Sequence, residues 1–207
     1  MTVVLRRGKA RSAHFLTIAS LRWVIRHRAY TPWYLVRYWR FFRFKLANPH
    51  VITRGFVFLD RGAELYARPG LGRLILGRWL HLGVDSATRC HEGTLRIGDK
   101  CTFARRNSIN CYLDVELGDS VLVADDVYIS DFDHRFDDPD RPIKDQGIVK
   151  SRVRIGDDVW LGTKATVVRG VAIGTGAVVG ANAVVTHDIP DYGVAVGSPA
   201  RVIRSRR

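Results

Sequence analysis

The stretch Ile155-Gly156-Asp157-Asp158-Val159-Trp160-Leu161-Gly162-Thr163-Lys164-Ala165-Thr166-Val167 opens a run in which an aliphatic residue recurs at every sixth position: Ile155, Leu161, Val167, Ile173, Val179 and Val185. A second series, Val159, Ala165, Val171, Ala177, Ala183 and Ile189, keeps the same step four residues later. A helix repeats about every 3.6 residues and a strand about every two, so a sustained step of six marks a short straight edge joined to a tight corner. Such a chain winds as a triangular coil. Its large aliphatic residues stack inward, and its coils join by parallel-strand hydrogen bonds. Glycine follows the inward residue at Gly156, Gly162, Gly174 and Gly180, where a missing Cβ is expected to permit close packing and unusual dihedral angles.

The step extends backwards. Leu117, Val123 and Ile129 carry it, Ile97, Phe103 and Ile109 continue it, and Leu76 and Leu82 show a weaker stretch, each shifted in phase by insertions. The longest break, Asp131 to Arg152, is polar and contains Pro139 and Pro142. A long loop on a regular solenoid is a place to look for function. The sequence therefore divides into an arm over residues 1–50, a coil over 51–198 with a protruding loop at 131–152, and a basic segment over 199–207.

The charge is uneven. The net charge is +13, yet residues 1–50 hold eleven Lys or Arg and no Asp or Glu, so the arm dominates the excess. The arm is also rich in aromatic rings, and its pattern predicts helices from about Ala13 to Ala29 and from about Pro32 to Leu46, with Arg37, Arg40 and Arg43 as a basic stripe. Two readings follow: a peripheral helix pair on the anionic inner face of the cell membrane, or a pair packed on the coil or on a neighbouring subunit. No apolar run approaches the roughly 20 residues that span a bilayer, and no signal-peptide pattern is evident, so the expected location is cytoplasmic. Nucleic-acid binding is not expected, because a basic cluster alone is only an electrostatic footprint. Cys90, Cys101 and Cys111 lack metal-type spacing and read as buried thiols.

Ile155-Gly156-Asp157-Asp158-Val159-Trp160-Leu161-Gly162, Val178-Val179-Gly180-Ala181-Asn182-Ala183-Val184-Val185-Thr186 and Val196-Gly197-Ser198-Pro199-Ala200-Arg201-Val202-Ile203 resemble the hexapeptide-repeat acyltransferases, among them the maltose, galactoside, xenobiotic and polysaccharide O-acetyltransferases. The resemblance implies a mainly β fold, a left-handed parallel β-helix, usually assembled as a homotrimer with its clefts between subunits. It implies a coenzyme A-dependent O-acyltransferase, with acetyl-CoA or another short acyl-CoA as cosubstrate and no metal. The acceptor would be a hydroxyl of a saccharide or cell-envelope glycan.

It also points to residues. His134, at the start of the long loop, would be the general base, since imidazole titrates near neutrality. Many relatives carry two histidines one residue apart, and here the first position is Phe132. Asp131 and Asp133 could orient the imidazole or cap the turn. A main-chain N–H in Gly162-Thr163 would hold the thioester oxygen, Ala181 the pantetheine arm, and Trp160 would wall it. Thr186, Arg201 and Arg204 would meet the nucleotide end of coenzyme A. Asn110, Asp133, His91 and Glu92 are the acceptor-side candidates, with Ser108 aligning as well as Asn110. The alternatives are a γ-type carbonic anhydrase-like metal enzyme using histidines such as His81, His91, His134 and His187, and a noncatalytic scaffold.

Overall fold

The structure is a computed structural model and describes residues 17–207. Two helices, α1 (Ile18–Arg26) and α2 (Pro32–Ala47), precede six coils of short parallel strands. The first face stacks Ile52–Thr53, Gly72–Leu76, Gly93–Ile97, Asp114–Leu117, Val153–Ile155 and Ala172–Ile173. The second stacks Val57–Leu59, Leu80–Leu82, Thr102–Phe103, Leu122–Val123, Trp160–Leu161 and Val178–Val179, and the third Glu64–Ala67, Ala87–Cys90, Ser108–Cys111, Tyr128–Ser130, Thr166–Val167 and Val184–Val185. The molecule is a left-handed parallel β-helix. Its final strand, Arg201–Ser205, folds back antiparallel on Gly193–Val196, so the basic C-terminal segment extends the second sheet.

Register shows why a step of six builds this shape. Leu76, Ile97, Leu117, Ile155 and Ile173 lie opposite one another on the first face. Leu82, Phe103, Val123, Leu161 and Val179 do so on the second, and Thr88, Ile109, Ile129, Val167 and Val185 on the third. All fifteen are buried. Each inward side chain sits on its counterpart one coil below, so three stacked rows, apolar except for Thr88, are removed from water together. The coil also reaches back to Ile52, before the stretch in which the six-residue step is visible.

At the corners, the expectation for glycine divides. A Cβ on Gly77 would stand 2.2 Å from the Gly98 carbonyl oxygen, one on Gly98 2.4 Å from the Gly118 carbonyl oxygen, and one on Gly162 2.7 Å from the Ala181 nitrogen. Close approach therefore explains the glycine that follows the inward residue. The unusual dihedral falls two residues later, on Lys100, Ser120, Asp158, Lys164 and Asn182, whose φ values lie between 54° and 59°. Aspartates join the corners: Asp99 accepts from the Arg78 N–H at 3.0 Å, Asp119 from Asp99 at 2.6 Å, and Asp157 from Asp119 at 2.7 Å. A carboxylate at this position satisfies a main-chain donor that no strand reaches.

The arm docks on the first two coils. Pro32 occupies the first turn of α2, and Pro49 follows its end, where the residue before proline is pushed out of helical geometry. Tyr34, Arg37, Tyr38 and Phe41 share one side of α2 by helical spacing. Phe41 is buried, and Tyr34 and Tyr38 pack on the core beside Phe56 and Phe58. Trp23 of α1 stacks on Trp79 with ring centres 4.0 Å apart.

Two expectations for the arm change. Its first helix covers Ile18–Arg26; the part expected before residue 17 lies outside the described residues, and Arg28 in left-handed geometry ends the helical run before Ala29. The Arg37, Arg40 and Arg43 stripe is not presented as one. Arg37 is buried, bonds the Asp60 carboxylate and lies 3.2 Å above the Trp33 ring, Arg40 donates to the Leu59 carbonyl at 3.3 Å, and Arg43 lies over Trp39. Asp60, in the first coil, is the acid that draws Arg37 and Arg40 inward; with an ion-pair partner at hand, a buried guanidinium is tolerable.

Replacing Gly77 with alanine puts a Cβ against backbone that cannot yield. Gly77→Ala is expected to cost about 1–3 kcal/mol and to lower the thermal midpoint by roughly 3–10 °C, measured by circular dichroism. An unchanged melt would remove close coil approach from the reasons for this glycine.

Candidate functional site

The long loop is a hairpin. Phe132–His134 pairs antiparallel with Ile148–Lys150, placing His134 opposite Ile148, and Gln146 closes the tip by donating to the carbonyls of Asp138 and Arg141. Asp131, fully buried at its base, accepts from the main-chain N–H groups of Tyr112, Leu113 and Asp114 at 2.7–2.8 Å. That is the capping role, and Asp131 does not bond His134. Asp133 accepts from Arg169 Nε at 2.7 Å, tying the hairpin to the corner that follows the strand Thr166–Val167. His134 projects into solvent and touches the edge of the Phe132 ring at a centroid distance of 6.2 Å.

Behind Phe132 runs a file of rings that the sequence reading missed. Tyr66 to His91, His91 to Tyr112 and Tyr112 to Phe132 have centroid separations of 5.7, 4.7 and 4.4 Å. The signal was recurrence at the coil spacing: positions 91, 112 and 132 each follow a face-three strand or its extension. His91 and Glu92, named as acceptor candidates, therefore stand on the same corner as the hairpin. Burial, reinforced by Arg89 and Arg68, holds the His91 imidazole below its usual range, so it is neutral at pH 7. Glu92 accepts from Lys150, whose hydrogen bond lowers the carboxyl. Asn110 lies opposite Ser130 on the outer side of the third face and donates to Ser108 Oγ at 3.1 Å. The asparagine that satisfies a corner main-chain group is Asn107, which accepts from the Val127 N–H at 2.8 Å.

The second group of candidates, apart from Thr186 on the hairpin's own corner, lies at and beyond the opposite edge of the third face. Trp160, half exposed, and Arg204 line a groove of about 400 Å³ on the second face, with Val178, Val194 and Arg206. The four C-terminal arginines separate by their partners. Arg206 donates to the Gly176 carbonyl at 2.6 Å, Arg207 lies over Tyr192, and Arg201 donates to the Ala200 carbonyl at 3.1 Å. Arg204 has no partner among the described residues and faces the groove. Thr186 bonds its neighbour His187 at 2.9 Å on the corner after the last third-face strand.

Thr163 and Ala181 fall on the corner between the second and third faces, one coil apart. The Gly162 N–H donates to the Val179 carbonyl and the Gly180 N–H to the Ala195 carbonyl, both at 2.8 Å, so those two amides belong to the coil ladder. The N–H groups of Thr163 and Ala181 have no acceptor among the described residues. Two coils earlier the same corner is closed, because Asp125 accepts from the Arg105 N–H at 2.8 Å. Above Asp125 no carboxylate follows at Thr163 or Ala181, so the N–H groups of Asp125 and Thr163 below them have no acceptor among the described residues, as that of Ala181 has none.

Within one chain the two groups do not meet. From Thr163 to the corner that anchors the hairpin is five residues of extended chain, roughly 15 Å. The four histidines of the metal-enzyme alternative are also dispersed. His81 packs against Phe58 beside the helices, His91 on Tyr112, His134 is on the hairpin, and His187 is at the last corner. Among the described residues no three His, Cys, Asp or Glu side chains converge in a way that could hold a metal ion. The three cysteines are fully buried, and burial pushes the Cys101 thiol up to about 12.

Residues 152–187 match the family model for the hexapeptide repeat of succinyl-transferase. The chain is 61% identical over 197 residues to a probable acetyltransferase of Mycobacterium tuberculosis, covering 95% of this chain and 66% of that protein's length. Among solved structures, a hexapeptide-repeat acetyltransferase of Vibrio cholerae shares the fold, with a TM-score of 0.58, 24% identity, and coverage of 80% of this chain and 76% of that one. A galactoside acetyltransferase solved with coenzyme A is 25% identical with a TM-score of 0.51, covering 80% of this chain and 70% of that one. The match to the hexapeptide-repeat model and the identity with the acetyltransferase, on a coil of stacked six-residue units, make this chain a member of the hexapeptide-repeat acyltransferase family.

Proposed function

We propose that this protein is a coenzyme A-dependent O-acyltransferase that moves a short acyl group, acetyl by default and succinyl as the alternative, to a hydroxyl of a saccharide or cell-envelope glycan. The observation that carries the reading is the pair of unbonded corner amides at Thr163 and Ala181, which follow the two strands whose Trp160 and Val178 line the groove with Arg204. A thioester carbonyl needs a donor where negative charge develops. A preorganised main-chain N–H supplies one without reorganisation. Thr163 takes that place, the Ala181 N–H meets an amide of the pantetheine arm, and Trp160 walls the arm. Arg204 takes phosphate at the nucleotide end, with Arg201 and Thr186 as outer contacts.

His134 accepts the proton of the acceptor hydroxyl as its oxygen attacks the thioester carbon, and returns that proton to the departing thiolate. His91, held neutral, and Asn110 offer hydrogen bonds to further hydroxyls of the acceptor, with Asp133 and Glu92 at the margin. Because His134 and Thr163 lie at opposite edges of one face, the reaction needs a second copy of the chain. We assign the active assembly as a homotrimer whose clefts lie between neighbours. The exposed Phe136 and Ile143 of the hairpin suit burial against such a neighbour. The galactoside acetyltransferase among the relatives supports a sugar hydroxyl as the acceptor. The cytoplasm is the assigned compartment, with peripheral attachment at the membrane's inner face through the arm.

His134→Ala is expected to lower kcat by about a hundredfold to ten-thousandfold while leaving acyl-CoA binding and subunit assembly intact, followed by thiol release and calorimetry. Turnover equal to that of the unaltered protein would take His134 out of the chemistry. Arg204→Ala is expected to raise the KM for acyl-CoA about tenfold at nearly constant kcat. An effect confined to kcat would dismiss phosphate binding at this residue.

A further inference from the structure

The outer side of the helical arm is unusually apolar for a surface. Leu35, Trp39, Phe42 and Leu46 fall at helical spacing along α2, and Trp39 and Leu46 are 57% and 84% exposed. On α1, Ile18, Leu21 and Ile25 form a second exposed row. Isolated exposed apolar side chains are ordinary, whereas rows on adjacent helices mark a surface that meets something apolar.

Charge identifies what it meets. Residues 1–50 contain eleven Lys or Arg and no carboxylate side chain. The docking of the arm removes some of these cations from play, because Arg37 and Arg40 turn inward to Asp60 and Lys45 donates to the Val51 carbonyl. Arg22, Arg26 and Arg28 of α1 and the turn after it remain exposed without partners among the described residues. Arg43 stays beside Trp39 on the outward side of α2. A second copy of the arm would bring cations against cations with no acid to offset them. An anionic bilayer offers both complements, acyl chains for the rows and phosphates for the guanidinium groups.

We propose that α1 and α2 form a pre-folded interfacial anchor for anionic phospholipid bilayers. Leu21, Ile25, Leu35, Trp39, Phe42 and Leu46 enter the headgroup boundary, and Arg22, Arg26 and Arg28 meet phosphate. This reassigns the lipid contact from Arg37 and Arg40, which lock the arm to the coil. Among the described residues no helix is long and apolar enough to cross a membrane. The anchor stands independently of the chemistry proposed for His134, since its test needs no turnover.

The full chain is mixed with vesicles of phosphatidylcholine alone or with about one third phosphatidylglycerol, and the bound fraction is read by co-sedimentation. Binding to the anionic vesicles is expected to exceed binding to the neutral ones by about tenfold or more and to fall at high salt. L35E with L46E is expected to abolish it. R22A with R26A, substitutions at exposed sites that leave the docked face untouched, is expected to weaken it by about tenfold. Circular dichroism checks that both variants are folded. Equal sedimentation with both vesicle types, or indifference of a folded variant pair, would overturn the proposal. So would self-association through the arm, seen by sedimentation velocity without lipid and lost in L35E with L46E.

Discussion

Everything in this molecule depends on one coil settling on the next at strand-pairing distance. Parallel strands fix that spacing near 4.8 Å, and it leaves no room for a side chain where two corners pass closest. Gly77, Gly98 and Gly162 stand at such passes. The left-handed backbone that turns most of these corners falls on non-glycine residues such as Lys164 and Asn182, with Gly176 taking it at one. Glycine is thus selected here by proximity more than by dihedral freedom, and the two requirements occupy different positions of the same turn.

A stack so regular has few places where chemistry can be placed. Interior positions are filled by the apolar columns, and main-chain groups within strands are paired. What remains is the outside of the corners and whatever interrupts the winding. Asp131 roots the hairpin by capping the turn at Tyr112–Asp114, so a buried carboxylate three residues from His134 fixes where the imidazole emerges. At the corner between the second and third faces Asp125 takes the Arg105 N–H, and because Thr163 and Ala181 stand at the next two positions the N–H groups of Asp125 and Thr163 below them find no carboxylate. The same repeat that stabilises the coil thereby leaves main-chain donors open, through an omission at two positions.

The arm shows how a charged helix can be both packed and available. Asp60 draws Arg37 and Arg40 onto the first coil, and the aromatic cluster of Trp23, Phe58 and Trp79 completes the contact. The rows that face outward are those at the complementary helical positions. One helix therefore carries a docking side and a largely exposed side, which neither composition nor net charge separates.

From sequence alone, the period of six specified a triangular coil from Leu76 to Ile189, because inward stacking demands an aliphatic side chain at each edge and leaves that record at fixed spacing. The break at 131–152 and its histidine were legible for the same reason, as a departure from a strict rule. The bound at residue 51 takes in the first coil, beginning at Ile52, but the six-residue step does not show there, since its outward Phe58 is covered by α2 and the contrast between inward and outward residues is lost. Tertiary structure alone decided which amides stay unbonded, which arginines are held by carboxylates and which rings line up behind His134. Those properties depend on the residue one coil away, and the insertions between coils make that neighbour invisible until the register is known.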